Sequence, residues 1–218
     1  MKRVAALLVL LAGALAGVLA GQSVTQRLTR HVPPSIAVVV QDLADSASAR
    51  GLPVTPLVNK ALEGGVKGVP ADRIVSAVRT VYAQLGLSAS ALRGAGVTTP
   101  EAIEAGAFAI AAGLDSSDVA TVARSADRSH PAATALQVVA TLVALGVPKG
   151  QGVGLVLATI RSGQPVADLQ SLPSRVQAKV GQGVPPGQAA AGLERAANAH
   201  AAPKPHGQDK QHGNPHRP

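Results

Sequence analysis

The chain has no cysteine and no tryptophan, and its aromatic content is one tyrosine, Tyr82, and one phenylalanine, Phe108. Without thiols there is no disulfide framework, no thiolate metal site, no iron–sulfur cluster and no cysteine nucleophile, so stability has to come from packing alone. With so few aromatics, the 46% of residues that are hydrophobic are almost all Ala, Val, Leu and Ile. Small side chains bury little area each, and elements built from them must approach closely to gain enough. Ala and Leu are also strong helix formers, which favours close-packed helices over sheets.

Acidic residues are scarce too: 12 against 20 Lys and Arg, for a formal net charge of +8. The surplus is dispersed. Lys2 and Arg3 carry two of it, and Lys204, Lys210 and Arg217 against Asp209 carry two more, which leaves +4 on the body from Gln22 to His200. That body has no adjacent Lys and Arg residues and no aromatic ladder. Nucleic-acid binding rests on clustered charge and, for single strands, on stacking platforms, so it is not expected.

Charge is absent altogether from Val4 to Ala20, "VAALLVLLAGALAGVLA", directly after Lys2 and Arg3. A short basic start, an apolar stretch and small-x-small triplets at 14–16 and 18–20 are the parts of a signal peptide. Residues 1–20 are therefore expected to direct export to the periplasm or the medium, with cleavage after Ala20. The alternative is an uncleaved anchor, since an apolar run of about 17 residues lies at the lower limit for a spanning helix. In that case the membrane is touched through this segment alone. Gly13, Gly17 and Gly21 have the spacing of a helix-dimerisation stripe, but small residues are common in such segments.

What the sequence does have is a recurring punctuation. A glycine, usually followed by an apolar residue and then Pro, Asp or Thr, opens "GLPVTPLV" at Gly51, "GVPADRIV" at Gly68, "GVTTPEAI" at Gly96, "GLDSSDVA" at Gly113, "GVPKGQGV" at Gly146 and "GQPVADLQ" at Gly163, with a partial unit at Gly183. Three gaps, 51–68, 96–113 and 146–163, are each 17 residues, and these pairs recur after 45 and 50 residues. Glycine suits the position just past a helix, where φ turns positive, and Pro, Asp or Thr suits the start of the next. Thr98 with Glu101, and Asp115 with Asp118, have capping-box spacing. Each unit thus reads as a helix stop followed at once by a helix start.

Helical periodicity between the stops agrees. Ile74, Val75, Val78, Val81, Tyr82 and Leu85 fall on one face, Ile103, Phe108 and Ile110 form a looser one, and the run from Pro131 to Leu145 reads as the most buried helix. Val153, Leu155, Val156 and Ile160 pack the helix that follows. Ser35–Ala49 is read as a helix capped by Ser35, although Ile36–Val40 is β-branched enough for a strand. The expected fold is all-α: short helices joined by Gly-x-Pro/Asp turns, a degenerate helical-pair repeat forming a solenoid-like array or a compact bundle. The organisation is a signal peptide at 1–20, a polar connector at 21–34, a helical domain at 35–200, and a disordered tail at 201–218 rich in His, Pro and Gly.

Chemistry is sparsely signalled. No GxSxG elbow, SxxK or Walker pattern occurs, and Lys149 precedes Gly150 in the Gly-rich stretch 146–154 instead of following it. The acid pairs Asp42/Asp45, Glu101/Glu104 and Asp115/Asp118 read as helix-start or surface charges. His31 and His130 are isolated, and His130, in "RSHPAA", reads as a turn residue. His200, His206, His212 and His216 are the candidate metal ligands, since imidazole binds Zn, Cu and Ni, although spacings of six, six and four form no compact site. The reading is an exported, non-enzymatic structural or interaction module of the periplasm or cell envelope, without a cofactor, presenting a helical surface or apolar groove to a partner. Weak transition-metal capture by the tail is the alternative.

Overall fold

A computed structural model describes residues 24–201, so the apolar segment at 4–20 and the tail from 202 lie outside the described residues. Ten helices follow one another: α1 (Val24–Leu28), α2 (Pro34–Ala49), α3 (Thr55–Val66), α4 (Ala71–Arg93), α5 (Pro100–Ala111), α6 (Ser116–Ser125), α7 (Ala132–Ala144), α8 (Lys149–Arg161), α9 (Val166–Gly181) and α10 (Pro186–Ala201). No strand occurs among the described residues.

The glycine punctuation holds at every position. Gly51, Gly68, Gly96, Gly113, Gly146, Gly163 and Gly183 are the described glycines with positive φ. At Gly146, φ is +88°; its N–H donates to the Val143 carbonyl at 2.9 Å, and the Val147 N–H donates to the Leu142 carbonyl at 3.1 Å. This is a Schellman closure, and the residue after the glycine, Val147, is buried. The same crossed pair of bonds closes the turns at Gly51, Gly68, Gly96, Gly113 and Gly183. That explains the apolar residue after the stop: it covers the end of the helix that has just finished.

Several local expectations shift. The 21–34 connector carries α1, whose Leu28 is fully buried, and Gln41 of α2 accepts from the Thr25 N–H and hydroxyl at 3.2 and 3.3 Å. Ser35 makes no cap; Pro34 is the first helical residue, because a helix start tolerates a missing N–H. Ile36–Val40 is helical, with Ile36, Ala37, Val40, Ala44 and Ala47 buried along one face. The cap of α5 is Thr99, not Thr98: its hydroxyl accepts from the Ala102 N–H at 3.3 Å, so Glu101 closes no box. Asp115 and Asp118 do close theirs. α9 runs through Pro173, which withdraws one N–H from its ladder. α7 shares its depth of burial with α8; each buries seven residues.

The core is aliphatic, with nine leucines among its largest fully buried side chains and neither aromatic in it. Close approach makes this sufficient. Gly106 of α5 lies against Ser88 of α4, whose hydroxyl donates to the Ile103 carbonyl at 2.8 Å, and a Cβ at position 106 would collide with that hydroxyl.

Packing is sequential. Each helix packs on its neighbour in sequence, on the next but one, or on both, and no extensive contact among the described helices skips further. α5, α7 and α9 follow one another in one row, and α2, α4, α6, α8 and α10 in the other. α4 is the longest of the described helices, at 23 residues, and it supports both α3 and α5, which have no extensive contact with each other.

Candidate docking groove

The separation of α3 from α5 over α4 leaves a cleft of about 660 Å³. Its floor is the α4 stripe Ala77, Thr80, Val81, Gln84 and Leu85. A second, shallower groove of about 710 Å³ runs across the outer row, from Thr55 and Asn59 of α3 over α5 and α7 to Gln170 and Pro173 of α9. The two share Pro56, Asn59, Glu104 and Phe108, so one concavity continues into the other around those residues.

Phe108 corrects the reading of α5. Its side chain is 45% exposed, whereas Ile103 is buried and Ile110 is packed against the core. At about 100° per residue, Phe108 stands about 140° around the helix from Ile103, while Ile110 returns to the Ile103 side. By the same geometry Glu101 and Glu104 share the outward face with Phe108, and all three line the groove. Burial pushes the Glu104 carboxyl above its ordinary value, and the charge of Glu101 adds to that rise. The other acid on the cleft wall, Glu63, is neutralised by Lys60 and Lys67 at 2.9 and 2.6 Å, which lower its carboxyl to about 2.

Asp115 and Asp118 are structural. Asp115 caps α6 and receives Lys149 of α8 at 2.7 Å, with Asp118 at 3.2 Å from the same ammonium. That pairing occupies the one lysine of the Gly-rich stretch. Asp45 accepts from Gln41 on the surface of α2 at 2.8 Å, and Asp42 is exposed there. His31 sits in the exposed turn before α2. His130 is in a turn but is buried: its Nε2–H donates to the Gln164 carbonyl at 2.7 Å, joining the start of α7 to the α8–α9 turn. Its Nδ1 has no hydrogen-bond partner; Asp127 Oδ1, at 3.3 Å, is already committed to the backbone N–H groups of Ser129 and His130. In the exceptional unit "GQPVADLQ", Gln164 stands where the other turns place an apolar residue; the imidazole bonds to its backbone carbonyl, so this contact does not depend on the Gln164 side chain.

His200 lies exposed in the last turn of α10, and His206, His212 and His216 fall outside the described residues. Among the described residues no group of three His, Asp or Glu side chains could hold a metal, and no helix is long and apolar enough to cross a membrane. No family model, curated protein or solved structure matches this chain.

Proposed function

We propose that the protein is an exported, non-enzymatic interaction module of the cell envelope whose α3–α5–α7–α9 groove receives a segment of another polypeptide. The observation that carries this reading is Phe108. In a chain with two aromatic residues, one is held 45% exposed where two concavities meet, on a helix whose buried residues are mostly alanines. A large ring half out of water, in a concave and partly apolar setting, is a contact waiting for a partner. The basic, apolar start of the chain supports the export part of the reading.

One experiment addresses both parts. The full-length chain, carrying photoreactive benzoylphenylalanine in place of Phe108, is expressed in a bacterial host, fractionated and irradiated. The expected result is a mature protein beginning at Gly21 in the envelope fraction, with a discrete crosslinked adduct that the same probe at exposed Val180 does not give. Retention in the cytoplasm would overturn the export assignment. A correctly exported protein with no adduct specific to position 108 would overturn the groove.

A further inference from the structure

We infer that the segment the groove receives is cationic, with arginine or lysine side chains seated between Glu101, Glu104 and the ring of Phe108. This rests on the groove reading above and names its partner's chemistry. The first support is charge. The body of the protein is basic, yet the residues lining the larger groove include two carboxylates and no lysine or arginine. Neither Glu101 nor Glu104 has an ion-pair partner within 4 Å among the described residues, whereas Glu63, Asp115 and Asp118 all have lysines. Two like charges three residues apart on a helix repel. A cation placed between them reverses the sign of that interaction.

The second support is the ring. Glu101, Glu104 and Phe108 fall at i, i+3 and i+7, one stripe about 10 Å long. A guanidinium or ammonium on a methylene stem can lay its charge against the carboxylates and its face or stem against the aromatic ring. The third is the set of amide side chains around the stripe. Asn59, Gln137 and Gln170 line the groove, and their side-chain amides take part in no hydrogen bond among the described residues. Each offers a donor and an acceptor, which is what the alternating N–H and C=O groups of an extended chain require. The three packed helices α5, α7 and α9, side by side at about 9–10 Å, span roughly 20 Å, the length of about six extended residues, and the cleft toward α3 lengthens the path.

The test uses three fluorescein-labelled decapeptides on one Gly/Ser/Pro framework, bearing three arginines, three glutamines or three glutamates, titrated into the exported protein at low and at physiological salt. Binding of the arginine peptide is expected, weakened about tenfold or more by Glu101→Gln/Glu104→Gln and by Phe108→Ala, and weakened by salt. These positions are exposed, and an unchanged thermal melt checks that the variants fold. Equal binding of the glutamine peptide, still lost in Phe108→Ala, would overturn the cationic assignment while leaving the groove as a docking site. Failure of all three peptides at millimolar concentration would also overturn it, and the Phe108 crosslink then decides the groove separately.

Discussion

At the scale of single residues, the energetics turn on how little room small side chains leave. Gly106 shows it best. Alanine there would drive its methyl into the Ser88 hydroxyl, which is fully buried and bonded to the Ile103 carbonyl. Gly106→Ala is expected to destabilise the protein by about 1–3 kcal/mol in urea unfolding, although alanine is the better helix former. The double variant Ser88→Ala/Gly106→Ala should recover part of the loss, because the colliding atom is gone. A Gly106→Ala variant as stable as the parent would refute the close α4–α5 contact. Nothing in the sequence marks Gly106 as different from Gly150, which faces open space; the distinction is created by the neighbouring helix.

At the scale of elements, boundaries are governed by caps and stops, and these were the most legible part of the sequence. All seven turn glycines took the predicted conformation, because positive φ is a local steric demand that a sequence expresses directly. What distance imposes was less legible. Thr98 and Thr99 are equivalent to a spacing rule, and the choice of Thr99 follows from where α5 docks. Phe108 was read as core because it is apolar, although the helical angle between it and Ile103 already contradicts one shared face. The Asp115 cap carries an acid-sensitive consequence. Lys149, Ser117 and the backbone N–H of Asp118 hold its carboxyl well below the usual range. A depressed carboxylate adds stability above its unfolded pKa, near 3.8, and loses it as pH falls through the lower folded value. Melting temperature should therefore fall on acidification below about pH 4 more steeply for the parent than for Asp115→Asn, with the difference reduced by salt because the pair is exposed. Parallel acid limbs would show that the cap does not couple α6 to α8.

At the scale of the whole molecule, extensive contacts among the described helices reach no further than the next helix but one, so cohesion is passed along the chain from neighbour to neighbour. Amide hydrogen exchange should be slowest in α4, α7 and α8, each flanked on both sides within its row, and fastest in α1 and the end of α10. Uniform protection from α1 to α10 would instead mean a single cooperative unit. The all-helical class follows from composition and the stops. The order of packing does not, since an array and a bundle share the same amphipathic faces, and whether the units arose by duplication is a separate matter from their shared turns.

The exclusion of both aromatics from the core has a practical corollary. The fully buried core neither absorbs near 280 nm nor fluoresces, and the native absorbance near 280 nm comes from Tyr82 alone, whose ring lies 5.4 Å from the Arg50 guanidinium and whose hydroxyl accepts from it at 3.0 Å. The chain is thus an optically dark background. A single tryptophan introduced by Phe108→Trp would be its only indole, placed at the mouth of the groove, and its emission would report the arrival of any partner without a label.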